Sequence, residues 1–325
     1  MQGMREILAP VVQYRRPFLR VSRQRVDRLS RRLMRLLTLA AVLLVPLVAL
    51  ALLLRARPIL IAKPLGELLL STTWHPLKGE FGFYPFIMGT LWVTALAMVV
   101  AVPPSLLTAI YLAEYAPPRF RTVAKPLIDL LAGIPSVVYG VWGMLTVVPL
   151  VGRYVAPALD RWLGVIPLFR ADNPTGYGLL AGGVVLAVMV FPTIIAVAEE
   201  VIRAVPQGLR EASLALGATR WQTIRSVVLR RAWPGVIAAV VLGLSRAFGE
   251  TMAVLMVVGN VPQVPRSIFD PAYPLTALIA NNYGEMMSIP LYDAALLGGA
   301  LILLLIVLAF NLASRLVVVR LVRRT

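Results

Sequence analysis

Uninterrupted apolar runs of about twenty residues recur along this chain, and each is long enough to cross a hydrocarbon layer of ~30 Å as a helix. With 59% hydrophobic and only 14% charged residues, so much apolar surface has no place in a single water-soluble core. The expected fold class is all-α, a polytopic integral membrane protein with about six transmembrane helices. The predicted first transmembrane helix covers 36–54, and the others cover 86–112, 127–150, 177–198, 234–258 and 294–313. Pro46, Pro103 and Pro104 fall inside predicted spans, where lipid-embedded helices tolerate them. Ala49 and Ala51 form an A-x-A pattern, but the basic leader before them is long and the apolar run continues to Leu54, so a retained span is expected rather than a cleaved signal.

The net charge of +17 raises nucleic-acid binding, and topology answers it. Ten Lys and Arg lie in a basic segment at 1–35, three in the loop after the second span, six in the loop at 199–232 and four at the carboxyl end. The opposite side holds eight. By the positive-inside rule both termini and the 199–232 loop are expected in the cytoplasm, with 55–85 outside it. The charge then serves orientation, and no nucleic-acid partner is expected. Within the basic segment, Val26, Leu29, Leu33 and Leu36 recur at helical spacing beside Arg25, Arg28, Arg32 and Arg35, a pattern suited to a helix at the lipid surface. A basic tail at 319–325 closes the chain.

Cysteine is absent and His75 is the sole histidine, which excludes disulfides, thiolate nucleophiles and the common His/Cys metal sites. A phosphate-binding P-loop needs Gly-Lys. Lys63, Lys78 and Lys125 follow Ala62, Leu77 and Ala124, so no ATPase motif, no enzyme and no bound cofactor are expected of this chain.

Two stretches stand out. In the 199–232 loop, Leu209, Ala212, Ser213 and Leu216 share one helical face, and Gly217 suits the left-handed residue that ends such a helix. Thr219 with Gln222 makes a capping box for a second helix, on which Trp221, Ile224 and Val228 share a face. A helical hairpin over 209–231 results, placed to dock a cytoplasmic protein or to act as a plain connector. A DNA-binding hairpin is similar in outline, but one pinned at both ends to a membrane cannot enter a major groove.

Arg246 falls near the middle of the predicted fifth span, with Glu250 one turn later on the same face. An ionised residue at the centre of a span costs about 2.5–3.5 kcal/mol on insertion scales, so both are expected to face protein or water. One reading is a structural ion pair. The other is a cationic contact for a permeating oxyanion, matched to the forked guanidinium, with Glu250 holding Arg246 in place and weakening the grip on the anion.

Glu211-Ala212-Ser213 followed by Gly217 resembles the EAA loop of ABC-importer permeases, whose pattern is EAA, three residues, Gly and a distal I-x-L-P. Ser213 replaces the second Ala, Val227 and Leu229 fit the distal part, and Arg230 stands where the family has Pro. SRAFGETMAVLMVVGN at 245–260 with GIPSVVYGVWG at 133–143 narrows the resemblance to the PstC-type permeases of phosphate-specific ABC importers, over roughly residues 85 to 315. The resemblance implies a type I permease fold, with a core at 86–318, and ATPase coupling through Glu211, Ala212, Ser213, Gly217, Ala218, Thr219 and Trp221. It also implies a substrate pathway at Arg246, Glu250 and the adjoining Thr251. The implied partners are a second permease of the PstA type, a dimer of PstB-type ATPase that uses the ATP, a PstS-type extracytoplasmic phosphate-binding protein and membrane lipid. Rival readings are a PstA-type subunit, a sulfate or molybdate permease, or an ion-coupled secondary transporter. A membrane enzyme has no H-E-x-x-H, second His or Cys to support it.

Overall fold

The computed structural model describes residues 18–285, 289 and 291–322. The chain divides into two compact units, 1–51 and 52–325. The expectation for the basic segment therefore lies outside the described residues at Arg5, Arg15 and Arg16, and the end of the basic tail, 323–325, lies outside them too. In the first unit the described part is helical, and from Arg25 onward almost every residue is exposed. Arg31 pairs with Asp27 one turn away at 3.3 Å.

Six helices are long and apolar enough to cross a membrane. The first belongs to α1 (Phe18–Ala62) and overruns the predicted 36–54. Arg55 and Arg57 end the apolar run but not the helix, since Arg is a good helix former. The helix stops only where Lys63 precedes Pro64, a position that disfavours helical backbone. The predicted loop at 55–85 is accordingly structured. It holds α2 (Leu65–Leu70) and a small hairpin of β1 (Trp74–His75) and β2 (Glu80–Phe81) in which Trp74 pairs with Phe81. Trp74, Phe81, Phe83, Phe86 and Tyr292 stack into an aromatic cluster at that end of the second unit.

α3 (Tyr84–Tyr115) opens with Pro85 in its first turn and closes in a widened turn of π-helix at Tyr111–Tyr115. Its buried face is mostly small, with Gly89, Ala97, Ala101, Ser105 and Ala109. It lies along α6 (Leu179–Arg203), the most extensive helix pair of the fold. Small residues allow two backbones to approach closely, which is how helices associate in lipid.

Between these two helices the third predicted span is displaced. α4 (Pro118–Gly133) is a separate helix that buries none of its residues. Ile134 precedes Pro135 and is extended, at φ −67° and ψ 130°. That breaks the predicted 127–150 run, and the span-length helix is α5 (Ser136–Leu163). Hydropathy alone misplaced it, because apolar residues continue across the break while the backbone restriction before proline does not depend on polarity.

Past α6 come α7 (Gln207–Ala215) and α8 (Arg220–Gly249). The predicted fifth span at 234–258 is not one helix. α8 begins 14 residues earlier, at Arg220, and ends at Gly249, and a short α9 (Met252–Val257) follows an extended Glu250. α10 (Leu275–Asn282) lies in what was expected to be loop, and α11 (Tyr292–Val322) supplies the last span and continues into the first residues predicted as tail, 319–322. At the end where α3 begins, backbone bonds tie the loops together: Leu179 N–H donates to Asp270 C=O at 3.0 Å, Leu180 to Ile268 at 2.7 Å, and Ile268 to Leu168 at 3.0 Å. The α7/α8 hairpin occupies the other end, beside the close of α3.

Candidate functional site

Arg246 lies in the last turn of α8, and a glycine puts it there. A Cβ added at Gly243 would meet the Ile194 side chain at 2.6 Å, so only glycine allows α8 this close to α6. The approach brings Arg246 beside Thr193, the residue after Pro192 in α6, and its Nη1 donates to Thr193 Oγ1 at 2.8 Å. Nη2 donates to the Ala132 carbonyl at 3.3 Å.

That carbonyl is available because α4 ends at Gly133. The last carbonyls of a helix have no partner in the helix itself, and they carry the negative end of its dipole, where cations are favoured. Leu131 is in the same turn, and its carbonyl accepts from the Tyr139 hydroxyl at 2.8 Å. Arg246 and Tyr139 thus cap one helix end. The GIPSVVYG and SRAFGET stretches, far apart in the sequence, meet at the break between α4 and α5. Beside Arg246, Ser245 donates to Asn311 Oδ1 of α11 at 2.7 Å.

Glu250 is a correction. The expected pairing with Arg246 requires both residues on one continuous helix, but the chain leaves the helix after Gly249, and Glu250 is extended at φ −75° and ψ 128°. Among the described residues, no ion pair joins Arg246 to Glu250. Instead, Glu250 Oε1 accepts from the Ala253 N–H in the first turn of α9 at 3.4 Å, and its own carbonyl accepts from the Thr276 hydroxyl at 3.1 Å. The Thr251 hydroxyl donates back to the Gly249 carbonyl at 3.4 Å. Glycine at 249 costs helix stability, Thr276 takes up a freed carbonyl, and the carboxylate suits a helix N-terminus, so the break is locally satisfied. Among the described residues the hydrogen-bond partners of Arg246 are therefore neutral, and the guanidinium has N–H donors beyond these two bonds.

The hairpin forms with the local chemistry its sequence indicates. Gly217 takes the left-handed φ of +83°. Thr219 and Gln222 complete a reciprocal capping box, in which Gln222 N–H donates to Thr219 Oγ1 at 3.3 Å and Thr219 N–H donates to Gln222 Oε1 at 2.8 Å. The Ser213 and Thr223 hydroxyls meet at 2.9 Å and join the two helices. Glu211, Ala212, Gly217, Thr219 and Trp221 are exposed, while Ser213 and Ala218 are partly covered. Trp221 does not share the buried face of Ile224 and Val228. It projects outward with Leu209, Leu214 and Leu216, which is 89% exposed. Arg230, where proline was the pattern, leaves its N–H in place, and the helix passes through it unbroken.

Sequence reasoning missed Glu114. It closes α3 and receives Arg210 of α7 at 2.7 Å, a contact across 96 residues of chain that no local pattern encodes. A single acid at the end of an apolar span, followed by a loop with three Lys and Arg, was the available signal. A second buried acid, Glu199 of α6, holds Lys125 of α4 and Arg203, each at 3.2 Å.

The sequence profile of the family described as binding-protein-dependent transport system inner membrane component matches residues 105–325. Among curated proteins, the chain is 40% identical over 257 residues to the phosphate transport system permease protein PstC of Xylella fastidiosa, covering 78% of this chain and 79% of the relative. It is 40% identical over 251 residues to the probable ABC transporter permease protein YqgH of Bacillus subtilis, covering 77% and 76%. With PstC 1 of Mycobacterium tuberculosis it shares 38% over 247 residues, covering 74% and 73%. Among solved structures, an inward-facing conformation of the MetNI methionine ABC transporter aligns with a TM-score of 0.52 at 20% identity, covering 74% of this chain and 97% of that one. At that identity the likeness shows the fold alone.

Proposed function

The chain belongs to the family of binding-protein-dependent transport system inner membrane components, and from that premise we propose that it is a permease subunit of an ATP-driven importer of inorganic phosphate. It is a multi-pass membrane protein with an ABC-importer permease fold. The observation that carries the choice of cargo is the 40% identity to a phosphate permease over more than three quarters of both chains. A half-buried guanidinium with neutral partners at a broken span is the chemistry such a cargo needs.

In this reading the chain lines half of a pathway, and a PstA-type permease completes it. A PstB-type ATPase dimer docks on the exposed face of the hairpin and hydrolyses ATP, while this chain binds no cofactor. A PstS-type binding protein delivers phosphate from the opposite side. The surplus of Lys and Arg supports a cytoplasmic hairpin and cytoplasmic termini. Because α8 is continuous, motor contact and cargo contact share one rod, and Arg246 lies roughly 22 Å along the axis from Arg231. When the ATPase closes, the hairpin moves with it, the spans rock, and phosphate passes Arg246.

The test is uptake of labelled phosphate into liposomes holding the full complex, with sulfate and molybdate as competitors. Phosphate is expected to compete best. Preferential inhibition by sulfate or molybdate would reassign the cargo. Uptake that persists when the P-loop lysine of the ATPase is replaced would mean an ion-coupled transporter.

A further inference from the structure

The hairpin is joined by peptide bonds to α6 and α8 only, so a docked motor pulls directly on two helices. The structure adds a third. Arg210 of α7 places Nη2 at 2.7 Å and Nε at 3.1 Å from Glu114 Oε1, with Nε also 3.4 Å from Oε2. The same guanidinium donates to the Ile202 carbonyl at 2.9 Å and to the Val205 carbonyl, both near the close of α6. The two side chains are only 13% and 8% exposed. Arg220, which opens α8, donates to the Glu114 backbone carbonyl and lies over the Tyr115 ring at 4.8 Å. Both arms of the hairpin therefore hold the last two residues of α3.

Little else holds α7 there. It buries none of its residues, and a cleft of about 550 Å³, bordered by Ala113, Leu214 and Thr223, opens beside the pair. Across such a gap, apolar packing transmits little displacement, whereas a guanidinium bonded to a carboxylate and two carbonyls is a stiff joint. The turn it holds is π-helical, a rare form that frequently occurs at functional sites. From Tyr115, α3 runs beside α6 and on to the aromatic cluster near Tyr84, about 46 Å away by helical rise.

Resting on the importer reading above, we infer that Glu114 and Arg210 are the joint through which hairpin motion is passed to α3. They are positioning residues and touch neither cargo nor ATP. A joint of this kind makes the far end of α3 respond to ATP even though no covalent link drives it.

The chain has no cysteine, so single thiols can be introduced cleanly. In the full complex with its partner subunits, nitroxides on Ala95→Cys in α3 and Leu145→Cys in α5 report how the two helices shift when ATP and magnesium are added. The ATP-driven distance change is expected in the otherwise unaltered chain and absent in Glu114→Gln, while the ATPase still co-purifies at full stoichiometry. Uptake is expected to fall by about tenfold or more, as the loss of a charge-assisted hydrogen bond implies. The swap of Glu114→Arg with Arg210→Glu is expected to restore both readouts, and neither single reversal does. If Glu114→Gln keeps the distance change, the inference is overturned. Should Glu114→Gln shed the ATPase, with the swap failing to rebind it, the pair is a brace and the inference is likewise overturned. The distance change is read without phosphate, so it judges the joint even where the unaltered complex fails to take up phosphate, a result that would count against the importer reading alone.

Discussion

Arg210 and Arg246 are both partly buried arginines, and they are treated in opposite ways. Arg210 meets a carboxylate at 2.7 Å and is 13% exposed. Arg246 meets a hydroxyl and a carbonyl. Two unit charges about 4 Å apart attract by roughly 4 kcal/mol at an effective dielectric near 20, so the charge of Arg210 is cancelled where it stands. Neutral acceptors orient Arg246 without cancelling its charge. On the proposed reading, the difference separates a cation built as a mechanical joint from one kept available to an anion that comes and goes.

The largest expected effect sharpens this contrast. Arg246→Ala should abolish phosphate uptake while the complex still assembles, because its partners Thr193 and Ala132 are neutral and tolerate its loss. Measured by co-purification beside uptake, failure of assembly would make Arg246 a joint too and break the comparison. Next in size is Gly217→Val in the hairpin. Nothing lies within 4 Å of a Cβ there, so the cost is conformational, about 1–2 kcal/mol for a left-handed residue. ATPase activity and uptake are expected to uncouple severalfold, and normal coupling would remove the hairpin from the motor side of the comparison.

Glu250→Gln should do less than Arg246→Ala. The carboxylate contacts the start of α9 rather than the guanidinium, so a partial loss of uptake is expected with Arg246 undisturbed. Equal, complete losses in the two variants would argue that they work as an ion pair in another state of the cycle. The smallest change is expected for Tyr139→Phe, which removes one hydrogen bond to the Leu131 carbonyl, worth about 1 kcal/mol. Uptake should drop a fewfold at most, and a total loss would place Tyr139 in the pathway itself.

Much of the hairpin was legible because its signals are local. Gly217 needs only its own φ, and the capping box joins residues three apart. The break at Pro135 was legible in principle and was outweighed by the mostly apolar residues on both sides of it. The end of α8 at Gly249 was not legible. Glycine weakens a helix without ending it, and what made the break tenable was Thr276, 26 residues on, taking the Glu250 carbonyl. Glu114 was invisible for the same reason, since its partner lies 96 residues away.

By itself, the sequence determined the membrane class, the approximate number of spans, and the hairpin turn and its cap; it put Arg246 in the fifth span but at its middle, whereas the helix ends one turn after it, at Gly249. These follow from hydropathy and from interactions within a turn or so of helix. Only the tertiary structure decided which charges meet. Arg246 reaches Thr193 across 53 residues and Ala132 across 114, and these contacts exist because Gly243 lets two helices close and α4 ends where it does. A side chain's reach is a few ångströms, and which groups fall within it is settled by how helices pack rather than by their order along the chain.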